Sequence, residues 1–112
     1  MFLKSQVIQN AITAPANGDA ILLNAYNLQS ATLLISLSGT ATSFTAQFMA
    51  SLDGINYVPV CGTKSTDGIT SANSTSVMNE AWEFDVSAYT HFKCYITAVS
   101  GGNVTVTANL AQ

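Results

Sequence analysis

Residues Ser43–Val60 read SFTAQFMASLDGINYVPV. The first half alternates strictly. Phe44, Ala46, Phe48 and Ala50 fall on one face, and Thr45, Gln47, Met49 and Ser51 on the other. A period of two is that of a half-buried strand, because successive side chains on a pleated backbone point to opposite sides. Asp53-Gly54 then breaks the pattern. Asp folds its carboxylate back onto the main chain and Gly tolerates positive φ, so the pair marks a turn. After it, Tyr57, Pro59 and Cys61 alternate with Val58 and Val60, which are read as the solvent phase. Pro59 has no N–H to give a ladder, so its strand is expected at a sheet edge or bulged. The stretch is a β-hairpin, and Asp53, Asn56 and Tyr57 serve its turn rather than chemistry.

The same period recurs along the chain. SATLLISLSG sets Ala31, Leu33, Ile35 and Leu37 against Thr32, Leu34, Ser36 and Ser38. AWEFDVS sets Trp82, Phe84 and Val86 against Glu83 and Asp85. HFKCYITAV sets Phe92, Cys94, Ile96 and Ala98 against Lys93, Tyr95, Thr97 and Val99. NVTVTANL sets Val104, Val106, Ala108 and Leu110 against Thr105, Thr107 and Asn109. Asn17-Gly18, Asp67-Gly68 and Gly101-Gly102-Asn103 supply further turns. No segment carries a helical apolar stripe. The pattern predicts eight or nine strands, near 5–12, 19–26, 30–38, 43–52, 55–61, 75–79, 81–87, 91–99 and 103–110. The fold class is therefore all-β, an antiparallel two-sheet sandwich, with a jelly roll the preferred topology and a closed barrel the second choice. Leu33, Ile35, Phe44, Phe48, Trp82, Phe84, Ile96 and Val106 are its expected core.

At 112 residues the chain makes one domain over 1–112. Residues 1–6 are expected as an N-terminal arm. Residues 62–79, rich in Ser, Thr, Asn and Gly, are expected as a long polar loop with a short edge strand at Ser74–Met78. The opening MFLKSQVIQN lacks the apolar core of a secretory signal, so the protein is expected to be made in the cytoplasm, or to have had a signal removed.

Composition narrows function further. The chain is 48% hydrophobic and 8% charged, with net charge −3 and three Lys and Arg together. So few cations exclude a phosphate-tracking surface, hence no nucleic acid, and equally an anionic membrane surface. No apolar run approaches the roughly 18 residues of a membrane span. Cys61 and Cys94 are read as free thiols. No cofactor motif occurs. His91, the single histidine, is read as a polar cap at the start of a strand, leaving no base for a Ser or Cys nucleophile. Glu83 and Asp85 share an outer face and are read as a solvated acidic edge; Glu80 lies close by. Asp19, Asp53 and Asp67 are the candidate calcium ligands, without any spacing that specifies such a loop. The chain is expected not to be an enzyme.

Two binding readings follow. Leu34, Met49, Val58, Val60 and Val99 are apolar residues in the solvent phase of polar faces. A symmetric partner would bury them, so a homo-oligomer is expected and these five are its candidate interaction surface. Alternatively, aromatics among Tyr26, Tyr57, Tyr89 and Trp82 stack a glycan, although the phase of Trp82 places it in the core.

The run Ser51–Val60, followed by WEFDVSAYTHFKCYITAVSGGNVTVTANL, resembles hairpins of discoidin-like and jelly-roll sandwiches and of small virion proteins of tailed bacteriophages. The likeness spans residues 43–110. It implies a structural virion protein, a capsid decoration or tail/neck subunit, partnered with itself and with other virion proteins. It implies no catalytic residues.

Overall fold

The computed structural model describes residues 2–23, 32–64, 70–71, 73–75, 80–86 and 89–111. Eleven strands are found among them: β1 (Phe2–Ile12), β2 (Ile21–Leu22), β3 (Thr32–Gly39), β4 (Ser43–Ser51), β5 (Tyr57–Pro59), β6 (Gly62–Lys64), β7 (Thr70–Ser71), β8 (Asn73–Thr75), β9 (Glu80–Asp85), β10 (His91–Ser100) and β11 (Val104–Ala111). They form two antiparallel sheets. One has the order β1-β11-β3-β9-β6-β7. The other runs β2-β10-β4, with β5 and β8 both on the outer edge of β4. β5 pairs with Met49–Ser51 and β8 with Thr45–Gln47.

The alternation read from the sequence sets the core. All eight expected core residues are 3% exposed or less. At their centre Phe48 packs against Trp82, Phe84 and Phe92, with ring centroids at 5.1, 4.8 and 6.4 Å. The contacts to Trp82 and Phe84 are tilted and edge-on, which suits the aromatic quadrupole better than face-to-face stacking, and the ring of Phe92 is stacked at the longer distance. Phe48 belongs to one sheet and Trp82 and Phe84 to the other, so the rings bond the two layers.

The structure corrects four expectations. The N-terminal arm is absent: residues from Phe2 onward form one strand, with Phe2 opposite Ala111 and Ile12 opposite Val104. Three register shifts along that ladder blur its alternation. Residues 62–79 are not simply a loop. β6 joins β9 on one sheet while β8 pairs with β4 on the other. The edge strand expected at Ser74–Met78 begins one residue earlier, and residues 76–79 lie outside the described part.

Val60 and Val99, read as solvent-facing, both pack against the core. For Val99 the cause is a bulge. Ile96 pairs with Ala46 but Ala98 with Thr45, so one extra residue reverses the phase and sets Val99 opposite buried Phe44. For Val60 the cause is a crossing between sheets. Its N–H still donates to Phe48 O (3.0 Å), while Gly62 already belongs to the other sheet. Gly62 is obligatory there, since a Cβ would overlap the Phe84 ring. Cys61, between them, is exposed.

The segment between β1 and β2 closes one side of the sandwich. Ala16 exchanges backbone hydrogen bonds with Ile96 (2.9 Å each way), and Asp19 N–H donates to Ile8 O (3.0 Å). The buried Gln9 side chain donates to Ala16 O (3.0 Å) and Cys94 O (2.9 Å). One amide thus ties β1, the connecting segment and β10 together, and its burial is matched by hydrogen bonds.

Candidate docking surface

The β4–β5 hairpin ends in a turn whose polar groups are spent on one another. The buried Ser51 hydroxyl accepts from the N–H of Asp53 (3.2 Å) and Gly54 (2.8 Å), and donates to Asp53 Oδ1 (2.9 Å). Asp53 Oδ1 also accepts from the N–H of Ile55 and of Asn56, both at 2.8 Å. Its Oδ2 accepts from Asn56 Nδ2 at 2.9 Å. Gly54 has φ +80°, and a Cβ on it would stand 2.9 Å from His91 Cε1. The imidazole therefore lies directly against the turn. Its Nδ1 is 2.8 Å from Thr90 Oγ1, and both the N–H and the hydroxyl of Thr90 reach Ser51 O.

This network holds the Asp53 carboxyl well below the usual carboxylate range. The N–H groups of Asn56 and Ile55 contribute most, then the Asn56 amide and the Ser51 hydroxyl. A depressed native pKa means the stabilisation is complete above the ordinary value of 3.8 and is lost as pH falls through the native value. Wild-type melting temperature should therefore drop as pH falls below about 4. Asp53→Asn should show a shallower drop; equal slopes in a pH series of thermal melts would show that the carboxylate does not hold the turn.

On this scaffold the apolar side chains point outward. Leu52 is 67% exposed, Ile55 80% and Val58 49%, and only Val7, at 47%, joins them as an exposed large hydrophobic among the described residues. Leu52 and Ile55 were not singled out in the sequence. The available signal was their place: they flank Asp-Gly at a turn tip, beyond reach of either sheet. Of the five expected surface residues, Val58 stands beside this tip. Leu34 and Met49 are half-buried on the outer faces of opposite sheets, so the five do not form one patch.

Beside the tip, Tyr57, Lys93 and Tyr95 meet on an outer face. The Lys93 ammonium lies 5.0 Å from the Tyr57 ring and 5.9 Å from the Tyr95 ring, whose centroids are 6.4 Å apart. Burial, then Tyr95 and Asp53, push the Tyr57 hydroxyl above its ordinary pKa. Trp82 is in the core, Tyr89 packs against it, and Tyr26 lies outside the described residues.

The remaining candidates fall apart spatially. Glu83 and Asp85 are exposed on the outer face of β9, whereas Glu80 is buried. Glu80 Oε1 accepts from Trp82 Nε1 (2.9 Å), and Oε2 stands 3.7 Å from Lys64 Nζ. Asp53 is committed to its turn, Asp19 lies in the connection between β1 and β2, and Asp67 is outside the described residues. No three His, Cys, Asp or Glu side chains converge among those described. Cys61 and Cys94 are free thiols, and burial pushes Cys94 up to about 12. A thiol reagent at pH 8 should modify one equivalent at Cys61 in the native protein and the second only after denaturation. Rapid native modification of both would contradict the burial of Cys94.

No curated protein matches the chain. Two crystal structures share its fold. The SPBc2 prophage-derived protein YomS is 21% identical over 96% of this chain and 92% of its own, with TM-score 0.84. The PBSX exported protein XepA is 22% identical over 96% of this chain but 37% of its own, with TM-score 0.86. The XepA family model matches residues 3–109, and on that match the chain belongs to the XepA family.

Proposed function

We propose that this chain is a non-enzymatic structural module of a phage particle. It is made in the host cytoplasm and built into the virion by self-association and by docking onto other virion subunits, as a capsid decoration or a tail/neck component. Membership of the XepA family and the likeness to two prophage products support a phage setting. The strand orders support a jelly-roll reading. Leaving out the short β6, β7 and β8, one sheet runs β1-β11-β3-β9 and the other β2-β10-β4-β5, the interleaving that two nested Greek keys produce.

The observation that carries the docking role is the tip. Leu52 and Ile55 are exposed on a turn immobilised by Ser51 and Asp53, and exposed Val58 stands beside them on β5. Such a tip loses little conformational entropy on binding, so burial of its apolar area converts efficiently into affinity. The double variant Leu52→Ser/Ile55→Ser should keep its unfolding free energy within about 0.5 kcal/mol, as exposed positions do. It should nevertheless lose co-sedimentation with purified particles. Undiminished co-sedimentation would remove the tip from the interface.

One observation favours a glycan-binding module as the alternative: Tyr57 and Tyr95 form a pair on an outer face, with the Gln47 amide opposite Tyr95. Retention on a glycan column that Tyr57→Ala abolishes, without association with particles, would decide for it.

A further inference from the structure

Lys93 is the only Lys, Asp or Glu on the outer face of the β2-β10-β4 sheet among the described residues. No described carboxylate pairs with it. Its ammonium lies over two phenol rings instead, 5.0 Å from the Tyr57 centroid and 5.9 Å from that of Tyr95. The ring centroids are 6.4 Å apart and the planes inclined at 47°, and all three side chains are half-buried, so the charge is held in place. An aromatic face attracts an ammonium but accepts only weak hydrogen bonds. The N–H groups turned away from the rings therefore stay available to an anion. Asp53, whose charge reaches Tyr57, has both carboxylate oxygens engaged in its own turn. Burial, then Tyr95 and Asp53, keep the Tyr57 hydroxyl protonated beyond its ordinary range, so it remains a donor. Met49 stands opposite Lys93 and Gln47 opposite Tyr95, which makes the surroundings neutral.

We propose that this cluster binds an acidic glycan, with one carboxylate or phosphate on the Lys93 ammonium, the sugar ring that bears it beside Tyr57 and Tyr95, and a neighbouring neutral sugar on the Gln47 amide. This rests on the second of the two readings above, the glycan module, and names the class of sugar. It does not require the docking tip to fail, because the tip residues Leu52 and Ile55 take no part in it. The position of Lys93 decides against a neutral glycan. A neutral sugar lays its C–H face on an aromatic face, and here the ammonium covers those faces. Such a ligand would have to displace the cation and would gain no ionic contact in return. An acidic sugar leaves the cation where it is and pairs with it. The sparseness of charge decides against a polyanion. One ammonium on a neutral face, in a chain of net charge −3, matches a ligand whose charges are isolated among neutral hydroxyl groups. A nucleic acid or a run of acidic residues would be repelled by the rest of the protein.

Titration calorimetry at low salt tests this on the purified chain with four probes: tetragalacturonate as the carboxylate sugar, glucose 1-phosphate as the phosphate sugar, cellotetraose as the neutral sugar and tetraglutamate as a sugar-free acid. At least one acidic sugar should bind, and which of the two binds identifies the anion. Cellotetraose and tetraglutamate should each bind about tenfold more weakly or not at all, as the loss of one charge-assisted hydrogen bond implies. Lys93→Met should weaken the acidic sugar by a similar factor. Lys93→Arg should retain it, because a guanidinium also sits on aromatic faces and pairs with carboxylate or phosphate. Added salt should weaken it too, since the pair is near the surface. Thermal melts check that the variants are folded, and Lys93→Arg separates loss of the charge from loss of structure. Equal binding of tetraglutamate would mean that charge alone is read, and would overturn the inference. Binding of cellotetraose without either acidic sugar would overturn it while leaving the glycan reading intact. If no sugar binds, both fall, and the tip is still judged separately by co-sedimentation with particles.

Discussion

Phe48→Ala should lower the unfolding free energy by about 3–5 kcal/mol. Phe48 is fully buried in the middle of β4 and contacts three aromatic rings, two of them on the facing sheet. Trp82, Phe84 and Phe92 are themselves held by their strands, so they cannot collapse into the space left behind. The loss therefore includes both the transfer term and an unfilled cavity. Phe84→Ala should fall in the same range, whereas Val58→Ala, at a half-exposed edge position, should cost under about 1 kcal/mol. Urea titration with a shared m-value checks this. A loss below about 1 kcal/mol at Phe48 would mean that the two sheets are not joined through these rings.

The second large effect is expected at Glu80. Its carboxylate is 3% exposed, accepts the Trp82 indole N–H and faces Lys64. Glu80→Ala should cost about 3 kcal/mol, because it strands a buried donor and removes the counter-charge of an ammonium that is largely covered. The informative comparison is the double variant Glu80→Leu/Lys64→Met. Replacing both charges with apolar groups of similar size should recover most of the loss, as it does when the penalty comes from orphaning a partner rather than from losing attraction. If the double variant is as unstable as Glu80→Ala, the group contributes by packing and the ion pair is incidental.

How much of this was legible in the sequence depended on whether the local period survived. Trp82 and Phe84 in β9 and Val86 just after it follow one phase, and their burial was read correctly. In HFKCYITAV the phase holds from Phe92 to Ile96 and then breaks, because a bulge adds a residue that no residue type announces. Val99 was therefore assigned to the wrong side. Val60 was misjudged for a different reason. The chain leaves one sheet after Pro59 and enters the other at Gly62, and alternation has no meaning across that step. Gly62 is the one trace of it in the sequence, and its cause is the ring of a residue 22 positions later. The tip was half legible. Asp53-Gly54 announced a turn braced by the Asp53 carboxylate, but its further support from Thr90 and His91 arises only in three dimensions. The Tyr57–Lys93–Tyr95 cluster was invisible for the same reason: its members come from β5 and β10 and meet only on the outer face of their sheet.

The pairing of Phe2 with Ala111 also bears on how the protein is made. β1 has no place in its sheet until β11 exists, since β11 is the neighbour that joins it to β3. At about 5–20 residues per second, β1 is synthesised roughly 5–20 s before its partner β11. During that interval Ile8 and the covered edge of β1 are open to other chains. Ribosome-bound fragments lacking β11 should accordingly be caught by chaperones and stay sensitive to protease until β11 has emerged, and this sheet should complete in one step at that point. The same adjacency gives the sandwich a neutral attachment point: a tether joining Phe2 to Ala111 need cross only one strand spacing, so the sandwich can be opened elsewhere, or strung between other domains, without stretching its frame.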